Sequence, residues 1–266
     1  MATFFIGYDV EHPDPVVTRQ FLQTARSLHE ELGIPCTLFV VGRTLRQSPE
    51  AFRELVGHPL FDLQQHTETH LRLKTVYQEN ADGVKVFLGG APDEVRADVG
   101  ACQITFEEIL GFRPSGLTGP YNYYRGLLDR PDLVQIVRDE GIRFLRCFGR
   151  DGHDWQPTPF FAPFSLAALG FPDVWEYGIH GWQDCILREK LGWADLDAYF
   201  QHLRVDVDRV VAADGYFSYC QHDWSSVRAD PDLTLTRRIL DYVKDVGFQV
   251  TTYVAHYAEQ TAAPQS

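Results

Sequence analysis

The chain has 266 residues, 44% hydrophobic and 23% charged, with a formal net charge of -13. That balance gives a globular protein of one large or two small α/β domains with an ample core, and so acidic a surface disfavours nucleic acid and anionic membranes as partners. No stretch approaches the ~18 apolar residues of a membrane span. The opening MATFFIGYDV has no basic n-region and no small-residue cleavage site after an apolar run, so a cytoplasmic location is expected. Cys36, Cys102, Cys147, Cys185 and Cys220 are dispersed without CxxC spacing and are expected as buried thiols, not disulfides or zinc ligands.

In chain order, TFFIGYD (3–9), rich in aromatic and β-branched residues, predicts a strand. DPVVTRQFLQTARSLHEELG (14–33) predicts a helix with Asp14 as N-cap, Pro15 at its first position and Gly33 as its stop. PCTLFVV (35–41) predicts a second strand, SPEAFRELVGH (48–58) a helix capped by Ser48, and FDLQQH (61–66) a third strand. Residues 71–90 form a long connection of weak periodicity, a kind that is often functional. APDEVRADVGACQITFEEILG (91–111) predicts an amphipathic helix, and IRFLRCF (142–148) and VWEYGI (174–179) further strands. WADLDAYFQHLRVDVDRVVAAD (193–214) predicts a helix leading to the strand GYFSYC (215–220), and DPDLTLTRRILDYVKDVG (230–247) a last helix before the strand FQVTTY (248–253). The tail EQTAAPQS (259–266) is expected to be disordered, which leaves one domain over residues 1–258. Repeated strand–helix alternation indicates a parallel sheet, and about seven units in this length favour a barrel. No GxGxxG or GxxxxGK[ST] turn supports a nucleotide-binding sheet.

Four polar sets follow these strands. Asp9 and Glu11, two apart in GYDVEHPD (7–14), face one side of a strand end; alone they read more readily as turn formers or caps, as Asp14 does. His66 and His70, four apart in QQHTETH (64–70), would share one face of a helical turn and could hold one metal; alone they read as solvated loop histidines. Glu68 is third in that run, which excludes the zincin pattern HExxH. FSYCQHDWSS (217–226) brings His222 to a strand end beside Asp223, where a lone histidine is commonly structural. GRDGHDWQP (149–157) is a turn carrying Asp151, Asp154 and Trp155. Active sites of parallel α/β barrels form at the C-terminal ends of the strands, and all four sets fall there. Two histidines and a carboxylate can hold a divalent metal with open positions, and a separate carboxylate and histidine then supply base and acid. An oxygenase could share that ligand count, but the strand–helix alternation does not suit the antiparallel double-sheet barrels on which such sites sit.

From residue 3 to about 253 the order of these motifs resembles the polysaccharide deacetylases of the NodB-homology type. The resemblance implies a distorted, incomplete (β/α) barrel of about seven parallel strands and a metal-dependent amide or ester hydrolase. HTETH matches the family's H[ST]xxH motif residue for residue, which implies His66 and His70 as ligands; DVE stands for the acidic first motif, which implies Asp9 as base and Glu11 as third ligand. One divalent ion is implied, zinc first, with cobalt, nickel or manganese as alternatives. The family's LxH motif corresponds to CQH, with Cys220 at the leucine position and His222 as the acid, and the DGHDW turn would orient that histidine through Asp151 or Asp154.

One motif departs. The family has an arginine, followed by proline and an aromatic, that orients the base. GFRPSGLTGPYNYY (111–124) aligns at TGPY, with Thr118 in the arginine's place and the Tyr121 amide as oxyanion donor; Arg113, Arg125 or Arg150 could take the arginine's part. Trp155, Trp182 and Trp224 are expected to stack on a sugar ring, core packing being the alternative for each. IHGWQDCILREKLGW (179–193) is expected to line the cleft or a subunit contact. The expected reaction removes an N-acyl group, above all N-acetyl, from a sugar or oligosaccharide. Opening of a small cyclic amide, as in the related allantoinases and cyclic imide hydrolases, and a catalytically inactive carbohydrate-binding relative are the alternatives.

Overall fold

β1 (Thr3–Val10) of the computed structural model, which describes residues 1–80 and 83–262, is buried along its whole length. Its alternate residues meet different cores. Phe4, Ile6, Tyr8 and Val10 pack outward beneath helices, while Phe5 joins Phe39, Phe144, Tyr177 and Tyr253 in a separate aromatic cluster. A strand buried on both faces in this way belongs to a sheet curled around its own interior.

α1 (Pro15–Leu32) follows, capped by Asp14, which accepts the Val16 N–H, and ended by Gly33 at φ 64°. Next come β2 (Cys36–Val40), α2 (Gly42–Gln47), α3 (Pro49–Arg53) and β3 (Phe61–Gln65). The helix expected over 48–58 is thus the five-residue α3, and Ser48 makes no side-chain cap. The long connection holds an antiparallel hairpin, β4 (Val76–Asn80) and β5 (Gly83–Phe87). Then follow α4 (Pro92–Leu110), β6 (Gly116–Tyr124), α5 (Pro131–Asp139), β7 (Phe144–Arg150), β8 (Phe164–Leu166) and β9 (Phe171–Glu176). The last part runs through α6 (Asp184–Leu191), α7 (Leu196–Ala212), β10 (Tyr216–His222), α8 (Asp223–Ala229), α9 (Thr234–Asp245), β11 (Gln249–Val250) and α10 (Tyr253–Ala262). The expected strand 248–253 therefore ends after two residues, and Tyr253 opens a helix. That helix includes 259–262, which corrects part of the expected disordered tail; 263–266 lie outside the described residues.

The sheet order is β10–β1–β2–β3–β6–β7–β9–β8, parallel except for β8 against β9, with β11 added beside the start of β1. The seam between β3 and β6 is a single pair, Gln65 with Leu117. Among the described residues no ladder joins β9 to β10. Instead, the chain after β9 crosses to β10 through His180 N–H to the Ser218 carbonyl (2.9 Å) and Ser218 Oγ to the Gly178 carbonyl (2.6 Å). The barrel is accordingly distorted and incomplete. Tyr253 enters its base, stacked on Phe5 at 4.9 Å, with its hydroxyl 2.7 Å from Ser218 Oγ.

His29 makes the fold sensitive to acid. It lies fully buried between Tyr8 Oη (2.8 Å) and the Ile34 carbonyl (2.8 Å). Burial lowers its pKa to about 4, the bond to Ile34 only partly opposing. The unfolded chain takes up this proton near pH 6.5 and the native one does not, so stability falls as pH drops from about 6.5 towards 4, by on the order of 3 kcal/mol. His29→Gln, measured by urea unfolding at pH 7 and 4.5, is expected to show a shallower loss than the wild type.

Candidate active site

Asp9 ends the inward-facing row of β1 and is 1% exposed. Its partner is Arg146 of β7, itself fully buried, whose Nη2 donates to Asp9 Oδ1. The guanidinium lies 4.1 Å over the Phe39 ring, and its Nε donates to Thr118 Oγ1 at 3.2 Å. Gly7 makes room for it: a Cβ there would stand 2.5 Å from Arg146 Nη1 and 3.2 Å from Phe39. Thr118 and Arg146 are register partners on β6 and β7. A guanidinium absent from residue 118 therefore reaches Asp9 from the adjacent position of the next strand. The three arginines considered for that part do other things. Arg113 pairs with Glu107 at 2.6 Å, Arg150 Nε donates to the Tyr121 and Asn122 carbonyls (2.9 Å each), and Arg125 sits at positive φ in the turn after β6.

Glu11, His66 and His70 converge, with their ligand atoms within 4.8 Å of one another. Glu11 Oε2 is 3.1 Å from His66 Nε2 and 2.8 Å from His70 Nε2. No helical turn produces this, contrary to the expectation. Residues 66–70 form a loop in which Thr67 and His70 both take φ 62°. Asp98 of α4 pins that loop, accepting from Glu68 N (2.7 Å), Thr69 N (3.2 Å) and Thr69 Oγ1 (2.6 Å). His66 Nδ1 lies 2.8 Å from the Thr118 carbonyl, which can only accept; Nδ1 therefore carries the proton and the Nε2 lone pair faces Glu11. Trp224 Nε1 donates to the other Glu11 oxygen at 2.9 Å. Burial disfavours the Glu11 charge, but the two imidazoles hold its pKa well below the carboxylate range. Two imidazole nitrogens, that of His66 with its lone pair set by the Thr118 bond, and one ionised carboxylate suit zinc or a similar divalent ion.

His222 Nε2 lies 3.9 Å from Asp9 Oδ2, while its Nδ1 is 2.5 Å from Asp184 Oδ1. Its main-chain N–H reaches the second Asp184 oxygen at 3.1 Å. Burial opposes the ring's charge, yet the adjacent Asp184 carboxylate holds its pKa well above the usual value. Asp184 itself, although buried, is held below the usual carboxylate value by His222 first and then Arg188.

The role foreseen for Asp151 or Asp154 thus falls to Asp184 of α6. Asp154 accepts the Tyr77 N–H of the hairpin at 2.6 Å, and Asp151 caps its own turn by accepting from His153 and Trp155 N–H groups. The segment 179–193 supplies Asp184 and, with Gln183, Cys185 and Ile186, one wall of the cavity. That cavity, about 270 Å³, is also lined by Asp9, Glu11, His66, His70, Tyr121 and His222, and by Gln78 of the hairpin. Tyr121 and Asn122, at φ 69° and 53°, break the register of β6 against β7 at its mouth. Of the three tryptophans, only Trp224 lines the cavity. Trp182 packs on the outer core beneath Lys190, 4.3 Å from its ring, and Trp155 lies 38% exposed in the 151–157 turn.

No curated protein sequence matches the chain. Among solved structures, a Mycobacterium smegmatis protein assigned as a polysaccharide deacetylase superposes with a TM-score of 0.72 at 15% identity, over 98% of this chain and 90% of that one. The PuuE allantoinase gives 0.64 at 15% identity, over 100% and 91%. A CE4 family pseudoenzyme from Bacillus anthracis gives 0.57 at 13%, over 96% and 65%. At such identities these likenesses bear on the fold, the incomplete (β/α) barrel described above. The sequence model described as "Polysaccharide deacetylase" matches residues 3–144, from the first residue of β1 through both converging histidines to the first residue of β7. On that match, which spans more than half of its length, the chain belongs to the polysaccharide deacetylase family.

Proposed function

We propose that the protein is a metal-dependent hydrolase that removes an N-acyl group, N-acetyl above all, from a sugar or short oligosaccharide. The observation that carries this reading is the placement of Asp9 Oδ2 between two imidazoles, 4.0 Å from His66 Nε2 and 3.9 Å from His222 Nε2. Membership in the family supports the coarser part, a hydrolase acting on amide or acetyl groups.

Glu11, His66 and His70 would hold the ion, which supplies Lewis acidity for the carbonyl and makes water a stronger acid. Asp9, fixed by Arg146, takes the proton of the attacking water. The Tyr121 amide stabilises the developing oxyanion, a contact worth roughly 3–4 kcal/mol. His222, kept charged by Asp184, protonates the departing nitrogen, which is too basic to leave as an anion.

One observation favours a second substrate class. The cavity of about 270 Å³ has Gln78, Cys185 and Ile186 in its lining. That space suits a single ring, so small cyclic amides are the second reading. Parallel assays on N-acetylated sugars and cyclic ureides separate the two, since ring opening without acetate release selects the second. The test of both is His66→Ala: metal affinity is expected to drop by more than about 100-fold, with turnover lost in proportion. Full activity in the metal-free variant would end the metal-dependent mechanism.

A further inference from the structure

The family's LxH motif carries leucine where this chain has Cys220, and that exchange puts a thiol inside the barrel next to the base and the acid. Cys220 Sγ lies 3.6 Å from Asp9 Oδ2, and His222 Nε2 lies 3.9 Å from the same oxygen. The three ligand atoms all fall within 4.8 Å of one another, and all three residues are buried. A tetrahedral zinc site with Zn–S of about 2.3 Å and Zn–N and Zn–O of about 2.0 Å has ligand-to-ligand edges of about 3.3–3.5 Å. The two edges to Asp9 Oδ2, 3.6 and 3.9 Å, are a few tenths of an ångström wider than that, and the third lies within 4.8 Å. The geometry points to a second metal site, Asp9–Cys220–His222, which takes a thiophilic divalent cation such as zinc or cadmium and shuts the enzyme off.

The neighbouring trio Asp184–Cys185–His222 does not offer an equivalent site. There His222 Nδ1 and Asp184 Oδ1 are already in contact at 2.5 Å, leaving no space for an ion between them. Asp9 and His222 line the cavity, so the ion arrives from the substrate side. Arg146 bonds the far oxygen of Asp9, leaving Oδ2 for the ion. Binding forms S–metal, N–metal and O–metal bonds and expels to solvent the thiol proton and, from the imidazolium form, the Nε2 proton. Both groups assigned to proton transfer are then occupied, so an ion here inhibits, whereas one at Glu11, His66 and His70 activates. The inhibitory consequence rests on the hydrolase reading; the binding itself does not.

The test uses the full chain brought to one equivalent of zinc and then titrated with zinc or with cadmium. A second equivalent is expected to bind, with a sulfur-to-cadmium charge-transfer band in the ultraviolet, and hydrolysis is expected to fall by about 100-fold as it fills. Cys220→Ala and Cys220→Ser should lose the band, the second equivalent and the inhibition. Cys185→Ser should keep the band. His66→Ala should also keep it, so the second site is read even where turnover is absent for another reason. The inference is overturned if the wild type binds one equivalent only or shows no thiolate band. It is equally overturned if the band survives in both Cys220 variants or disappears in Cys185→Ser.

Discussion

Arg146→Met is expected to lower kcat by about 1000-fold, within the range that positioned acid–base groups contribute, while KM changes little. Arg146 holds Asp9, the carboxylate proposed to take the water's proton. Methionine keeps the bulk and the contact with Phe39 but leaves Asp9 as a buried charge without its partner. Breaking a buried pair from one side costs about 3–5 kcal/mol, so urea unfolding should show a matching loss of stability. The double variant Asp9→Asn/Arg146→Met separates the two effects: it should recover part of the stability and none of the activity. Lysine at 146 should rescue poorly, because a point charge cannot bond both Asp9 and Thr118 from one planar group. The decisive variant is Thr118→Arg/Arg146→Thr, which moves the guanidinium to its register partner on β6. Recovery of most of the lost rate would show that the arginine's charge and reach matter and its strand does not. No recovery, with the fold intact, would show that the β7 location is itself required.

That relocation accounts for the departure seen in the third motif. It shows why the sequence was legible in some places and not in others. β1 and the strand ending at His222 are local patterns: apolar strands that stop at a polar residue, read from a few neighbours. Arg146 is 137 residues from Asp9, and within IRFLRCF it reads as a charge in an otherwise apolar strand. The signal was there, since Phe144, Arg146 and Phe148 share the inward face, and a charge on that face of a buried strand requires a partner. Asp184 gave less warning, because an acid at the first position of a helix usually serves the helix dipole. β6 was hidden by Gly119 and Pro120 and by the positive φ of Tyr121 and Asn122, which break strand periodicity where the chain bends around the cavity. The hairpin was read as loop, although Val76, Gln78, Val84 and Val86 lie at strand spacing.

Asp184→Asn is expected to reduce kcat at pH 7 by about 100- to 10,000-fold and to move the alkaline limb of the rate profile to lower pH. Asparagine retains the shape but removes the charge that outweighs burial at His222. Burial then dominates, and the ring is expected to go from charged to neutral at pH 7, unable to protonate the leaving nitrogen. Stability should follow the same pair. The raised His222 pKa contributes stability that is full below about pH 6.5 and is lost as pH rises through the folded value. The lowered Asp184 pKa contributes stability present above about pH 4 and lost as pH falls through its folded value. Both contributions overlap between about pH 4 and 6.5, so the deficit of Asp184→Asn in urea unfolding should be greatest there and shrink towards alkaline pH. NMR titration of the His222 ring reads the cause independently of turnover. A ring that stays charged past pH 7 in Asp184→Asn would mean that another group, Asp9 or Cys220, sustains it, and the role assigned to α6 would fail.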